Sequence, residues 1–274
     1  MKLVSFSSGD GRVRPGALRG EAVVDLSGNG YADTMALIAA GISSLPAGPE
    51  FPLNQVRLHA PLTNPPRIFA IGLNYRDHAA ESKMALPSVP VVFFKLHTSI
   101  IGPGEPIVLP KATSQPDYEA ELAFVIGKGG YRIPSSAWRE HVYGFTIVND
   151  VSARDVQFAT SQWSLAKSFN TFCPLGPAIV TTDEIADPHK LAISLSIDGE
   201  TLQSSNTREL VFGIGDLVEY ISSIAPLLPG DIVSTGTPGG VGLGRTPKRW
   251  LRPGETVTVN VDGLGSLTNP VIAE

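Results

Sequence analysis

Turn-forming residues constrain this chain more than its apolar residues do. Twenty-eight Gly and 23 Pro cut the sequence into short apolar runs, and no regular alternation of strand and helix emerges between the cuts. RIFAIG, VVFFK, ELAFVIG, VYGFTIVND, AIVTTDE, LAISLSIDGE, DIVSTG and TVTVNVDG read as strands rich in β-branched and aromatic residues. Only a few helices interrupt them, the clearest around Asp77 to Met84, near Ala153 to Phe158, and in GIGDLVEYISSI, whose apolar positions recur near 3.6 spacing. The pattern predicts an α+β chain that is mostly β, an irregular roll or sandwich rather than a doubly wound sheet.

The first 60 residues have their own character, with strands KLVSFS, ALRG and EAVVDLS followed by the helical ADTMALIAAG. Residues 61–66, PLTNPP, place three prolines in six positions, which removes backbone donors and suits a connector. We expect a small N-terminal domain over 1–60, this connector, and the main domain over 67–274. At 274 residues with 42% hydrophobic and 17% charged side chains, such a chain can bury a full core unaided.

The formal charge of −5 and the lack of any cluster of Lys and Arg argue against a nucleic-acid partner. No apolar run is long enough for a membrane span, and the opening lacks the apolar core of a signal peptide. A cytoplasmic protein acting on a small solute is the expectation. The single Cys173 excludes an intramolecular disulfide and reads as a packed small hydrophobe.

Asp117-Tyr118-Glu119-Ala120-Glu121 runs directly into the apolar LAFVIG. Residues two apart on a strand share a face, so Glu119 and Glu121 are predicted neighbours, roughly 7 Å apart. Their repulsion is relieved either by water on an exposed edge or by a bound cation. Asp150, at the end of VYGFTIVND, can add a third oxygen ligand or simply cap a turn. Three carboxylates without a His or Cys cluster suit Mg²⁺ or Mn²⁺, and also Ca²⁺, rather than zinc. His78 and Glu81 stand three apart and meet on one helical face, as a general-base dyad or as a surface pair. Lys167, in an otherwise uncharged stretch, either holds a substrate anion or lies along the surface. The STGTPGGVGLG turn offers free N–H groups and Thr hydroxyls to an anion, but no helix follows it as a dinucleotide site requires.

Six blocks, GLNYRDHAAE, DYEAELAFVIG, VNDVSARDVQ, LAKSF, LPGDIVSTGTPGGVG and GLGSLTNPV, together resemble the fumarylacetoacetate hydrolase family in order and content over about residues 66–271. The resemblance implies a mixed β-roll catalytic domain, usually in a homodimer, with a metal held by Glu119, Glu121 and Asp150. It implies His78 and Glu81 as the water-activating pair, Lys167 as a substrate contact and Thr237 at the substrate carboxylate, with Arg154 and Gln157 as further substrate contacts. Residues 78–90 resemble the family's mobile lid. The expected reaction is metal-dependent hydrolytic C–C cleavage of a 2,4-diketo acid, of the acylpyruvate, fumarylpyruvate or diketo-deoxy sugar acid type, giving pyruvate and a carboxylic acid. The alternatives are an oxaloacetate decarboxylase or tautomerase, a related isomerase or hydratase, and last a non-catalytic binding protein.

Overall fold

A computed structural model gives the structure of the protein and describes residues 1–81 and 84–274. It is mostly β, as the turn pattern predicts. One large mixed sheet of twelve strands curves past a second, five-stranded sheet. Along its main path the large sheet runs Glu50–Pro52, Ala22–Asp25, Arg14–Arg19, Lys2–Ser7, Cys173–Thr181, Val142–Asn149, Ala120–Ile126, Ile232–Ser234, Ile68–Gly72, Val91–Lys95. The smaller sheet orders Glu200–Asn206, Ala192–Ile197, Thr256–Val261, Gly265–Ala273, Ile107–Leu109. Among the described residues no helix is long and apolar enough to cross a membrane.

Ala120–Ile126 lies at the centre, and all seven of its residues are buried. Strand alternation sends Leu122, Phe124 and Ile126 to one side, where they meet Leu195 and Val259 of the smaller sheet and Leu217, Val218 and Ile221 of the helix Ile214–Ile224. Ala123 and Val125 face the other way, into a cluster with Leu3, Leu37, Ile38 and Ile179. Burial on both faces explains why LAFVI reads as a continuous apolar run instead of an alternating one.

The leading residues extend the large sheet. Lys2–Ser7 pairs antiparallel with Cys173–Thr181, Lys2 opposite Val180 and Leu3 opposite Ile179, and Arg57–His59 returns to pair with Lys2–Ser7.

Several elements differ from the predicted ones. The predicted strand AIVTTDE begins earlier, at Cys173, and ends at Thr181, with Asp183 and Glu184 in a short turn of helix. Pro177 inside it, which as a rule argues against an interior strand, hid its first half. Glu200–Asn206 was not predicted because ETLQSSN is polar, yet it pairs along Ala192–Ile197. Near Ala153 to Phe158 the helix is a single turn, Arg154–Gln157. The helix predicted over Asp77 to Met84 is Arg76–Glu81. Residues 82 and 83, within the segment expected to act as a lid, lie outside the described residues.

Candidate active site

The acidic cluster is assembled by backbone pairing. Pro116–Asp117 pairs with Ser152–Ala153, and Ala120 stands opposite Asn149. Between these ladders the Asp150 N–H donates to the Glu119 carbonyl at 2.9 Å, and the Glu119 N–H donates to Asn149 Oδ1 at 3.0 Å. Glu119 lies just ahead of the regular strand, and Asp150 just beyond its neighbour. A carboxylate oxygen from each of Glu119, Glu121 and Asp150 nevertheless comes within 4.8 Å of the others, and all three residues are buried.

Three cations neutralise part of this charge. Lys167 Nζ donates to Glu119 Oε2 at 2.6 Å and to Asp150 Oδ2 at 2.7 Å. Arg154 Nη2 donates to Glu119 Oε1 at 2.5 Å, and Lys95 Nζ to Asp150 Oδ1 at 2.6 Å. Burial alone raises the Glu119 carboxyl, but Arg154 and Lys167 outweigh it and hold the group down, to about 2. Glu121 pairs with no cation among the described residues. It accepts from the Ser234 hydroxyl at 2.5 Å and from the Gly236 N–H at 3.0 Å. Burial, reinforced by the charges of Asp150 and Glu119, pushes its carboxyl well above the usual range. With Asp117 included, four buried carboxylates face three buried cations among the described residues, a formal excess of one negative charge there. Hard oxygen donors, close spacing and uncompensated charge together fit a divalent cation.

Glu119 and Glu121 lie on the floor of an open cleft, which His78, Arg154, Gln157, Lys167 and Thr237 also line. Every guanidinium nitrogen of Arg154 already bonds protein: Nε to Asp117 Oδ2 at 2.8 Å, Nη1 to Gln157 Oε1 at 2.9 Å, and Nη2 to Glu119. The structure thus shows it bracing Glu119, while Gln157 and Thr237 present polar atoms nearby. His78 Nδ1 stands 3.6 Å from Glu81 Oε2, an electrostatic contact longer than a hydrogen bond. Both Glu81 oxygens accept from the Gly240 N–H, at 3.1 and 3.0 Å. Asp77 accepts from the Gly239 N–H at 3.3 Å and from the Ser205 hydroxyl. The short helix Arg76–Glu81 is thereby stitched to the Gly-rich turn. Gly240 adopts φ +101, and a Cβ there would lie 2.2 Å from the Leu202 carbonyl oxygen, so only glycine brings this N–H to Glu81.

The pattern described as "Fumarylacetoacetate (FAA) hydrolase C-terminal" matches residues 67–272, most of the chain. The chain belongs to the fumarylacetoacetate hydrolase family. It is an enzyme fold of that family in full: the fumarylacetoacetate hydrolase of Exiguobacterium antarcticum is 35% identical, with 100% of both chains covered and a TM-score of 0.91. The 5-carboxymethyl-2-hydroxymuconate delta-isomerase of Mycobacterium smegmatis is 38% identical, again with 100% of both chains covered, at a TM-score of 0.85. The mitochondrial oxaloacetate tautomerase fahd2 of Xenopus laevis is 46% identical over 221 residues, 80% of this chain and 69% of that protein. These names span a hydrolase, an isomerase and a tautomerase.

Three residues of this fumarylacetoacetate hydrolase family site escaped the sequence reading. Lys95 ends the apolar run VVFFK and is buried on Asp150; a lone charge closing an apolar strand was the available signal. Asp117 stands within the acidic motif itself and accepts from Arg154 and from the N–H groups of Gly242 and Leu243. Gln203 accepts from the Ala120 N–H at 2.9 Å and donates to Thr237 Oγ1 at 2.8 Å, joining the acidic strand to the turn. It lies in the polar strand that was not predicted, so nothing local marked it.

Proposed function

We propose that this protein catalyses keto–enol proton transfer on a small 2-oxo acid, and that oxaloacetate is the first substrate to test. The observation that carries the reading is the uncompensated Glu121 carboxylate beside Glu119 and Asp150, on the floor of a cleft that His78 also lines. The 46% identity to a protein named as an oxaloacetate tautomerase supports the same choice.

In this reading Glu119, Glu121 and Asp150 hold a divalent cation, Mg²⁺ or Mn²⁺ ahead of Ca²⁺. When bound, such an ion acts as a Lewis acid that lowers the cost of negative charge on the 2-oxo oxygen. Lys167, already between Glu119 and Asp150, keeps a fixed positive charge beside that oxygen, where it needs no reorganisation. Thr237 and Gln157 orient the substrate carboxylate. The His78 ring carries a proton to or from C3, and the Glu81 carboxylate faces it, 3.6 Å from Nδ1. Lys95, Asp117 and Gln203 hold these groups in place and touch no substrate. The protein works as a homodimer, a point that light scattering checks directly.

A second reading, hydrolysis of a 2,4-diketo acid, is favoured by the same His78 and Glu81, whose pairing suits activation of a water. That water adds to the C4 carbonyl, the C3–C4 bond breaks, C3 takes a proton, and pyruvate and a carboxylic acid leave. Assays of Mg²⁺-supplemented protein with an EDTA control separate the readings. Loss of the oxaloacetate enol without pyruvate supports the tautomerase. Loss of acetylpyruvate or fumarylpyruvate absorbance with release of pyruvate supports the hydrolase. EDTA-insensitive turnover of every substrate overturns both metal-dependent mechanisms.

A further inference from the structure

The lining of the cleft changes character, from charged groups at Glu119, Glu121 and Lys167 to aromatic ones. Directly beside the acidic floor, Lys167 Nζ lies 5.1 Å from the centre of the Phe93 ring. The Trp163 ring then meets Phe93 edge-on, with centroids 5.6 Å apart and planes at 67°. Trp163 occupies this position because residue 72 is glycine: a Cβ there would come 2.5 Å from the indole Cζ3. Beyond Trp163 the same cleft is lined by Phe158 and Met84, whose side chains are 61% and 52% exposed. Two large apolar side chains left open at the mouth of a binding cleft gain free energy when an apolar group covers them.

We propose that the site takes 2-oxo acids that carry an aromatic or other apolar group on C3, and that it ketonises the enol of phenylpyruvate. This rests on the keto–enol reading above and extends it to a substrate class. The head of such a molecule, carboxylate plus C2 oxygen, matches the charged floor. Its ring continues the aromatic path of Phe93 and Trp163 and covers Phe158 and Met84. The reaction balances without a co-reactant: the enol oxygen loses its proton, the C2=C3 electron pair takes a proton at C3, and the C2=O bond forms. The continuity of the aromatic wall with Lys167 argues for a substrate tail here.

The test is the enol-to-keto reaction of phenylpyruvate and of oxaloacetate by the Mg²⁺-supplemented full chain, followed as loss of enol absorbance. Phenylpyruvate is expected to be turned over with a KM below that of oxaloacetate. Phe158→Ala should lower the ratio of kcat/KM for phenylpyruvate to that for oxaloacetate by about tenfold, equivalent to removing one good apolar contact. Phe158→Leu, which keeps an apolar cover on an exposed position, should preserve most of that ratio. Turnover of oxaloacetate without phenylpyruvate, or a ratio unmoved by Phe158→Ala, overturns this inference and leaves the keto–enol reading standing. Failure of both substrates overturns that reading and this inference with it.

Discussion

The ammonium of Lys95 lies 2.6 Å from Asp150 Oδ1, and neither side chain exposes any surface. The same ammonium donates to the carbonyl of Lys167, so one buried cation links a candidate metal ligand to the segment that carries the neighbouring lysine. Asp150 therefore bears two ammonium groups, one on each oxygen. Lys95→Met leaves a buried carboxylate half-compensated and two chain segments untied. Breaking a buried pair in this way costs about 3–5 kcal/mol, and Lys167 keeps the loss near the lower end. Urea unfolding of the metal-free variant should show it; a loss under about 1 kcal/mol would mean that the pair is solvated.

Glu121 presents the opposite case, a buried carboxylate held by hydrogen bonds with no paired cation among the described residues. Glu121→Gln removes the unfavourable charge while retaining a carbonyl oxygen for Ser234 and Gly236. In EDTA the variant should unfold at the same or a higher urea concentration than the parent. Its affinity for Mn²⁺ by calorimetric titration should fall by more than about a hundredfold, since groups that merely support ligands cost 10–100-fold. Unchanged Mn²⁺ affinity would remove Glu121 from the metal site.

Glu81 predicts a pH dependence. Burial works to raise its carboxyl, but His78 and the Gly240 N–H outweigh that and hold it below the ordinary value of 4.5. A carboxylate with a depressed folded-state value stabilises the fold above its unfolded value and loses that contribution as pH falls through the folded one. The parent should thus exceed Glu81→Gln in stability near neutral pH, and the gap should close as pH drops below about 4.5. A gap that stays constant down to acid pH would show that Glu81 is uncharged or unpaired in the fold.

Cys173, the single cysteine, is fully buried in the strand Cys173–Thr181, and burial pushes its thiol up to about 12. Thiol-disulfide reagents attack the thiolate, so the native protein should not react at mildly alkaline pH and should react fully once unfolded. Rapid native labelling would place a local opening at this strand, beside the strand Val142–Asn149 that leads into Asp150.

Local chemistry made the mostly β class and the acidic motif legible. Gly and Pro spacing limits segment length wherever the chain folds, and Asp117 to Glu121 announce themselves because charges seldom precede a buried strand. The six blocks of similarity added the family over residues 66–271, and the matched pattern covers residues 67–272. What only the tertiary structure decided is which charges meet. Lys95 and Asp150 are 55 residues apart in sequence, and Gln203 and Thr237 34, distances over which no periodicity carries information. The polar strand Glu200–Asn206 became a strand because Ala192–Ile197 satisfies its backbone groups, whatever its own propensity. The roles within the cluster were decided in the same way. Arg154 lines the cleft, and its three nitrogens also bond Asp117, Gln157 and Glu119, because a buried guanidinium must be satisfied by whatever the fold brings beside it.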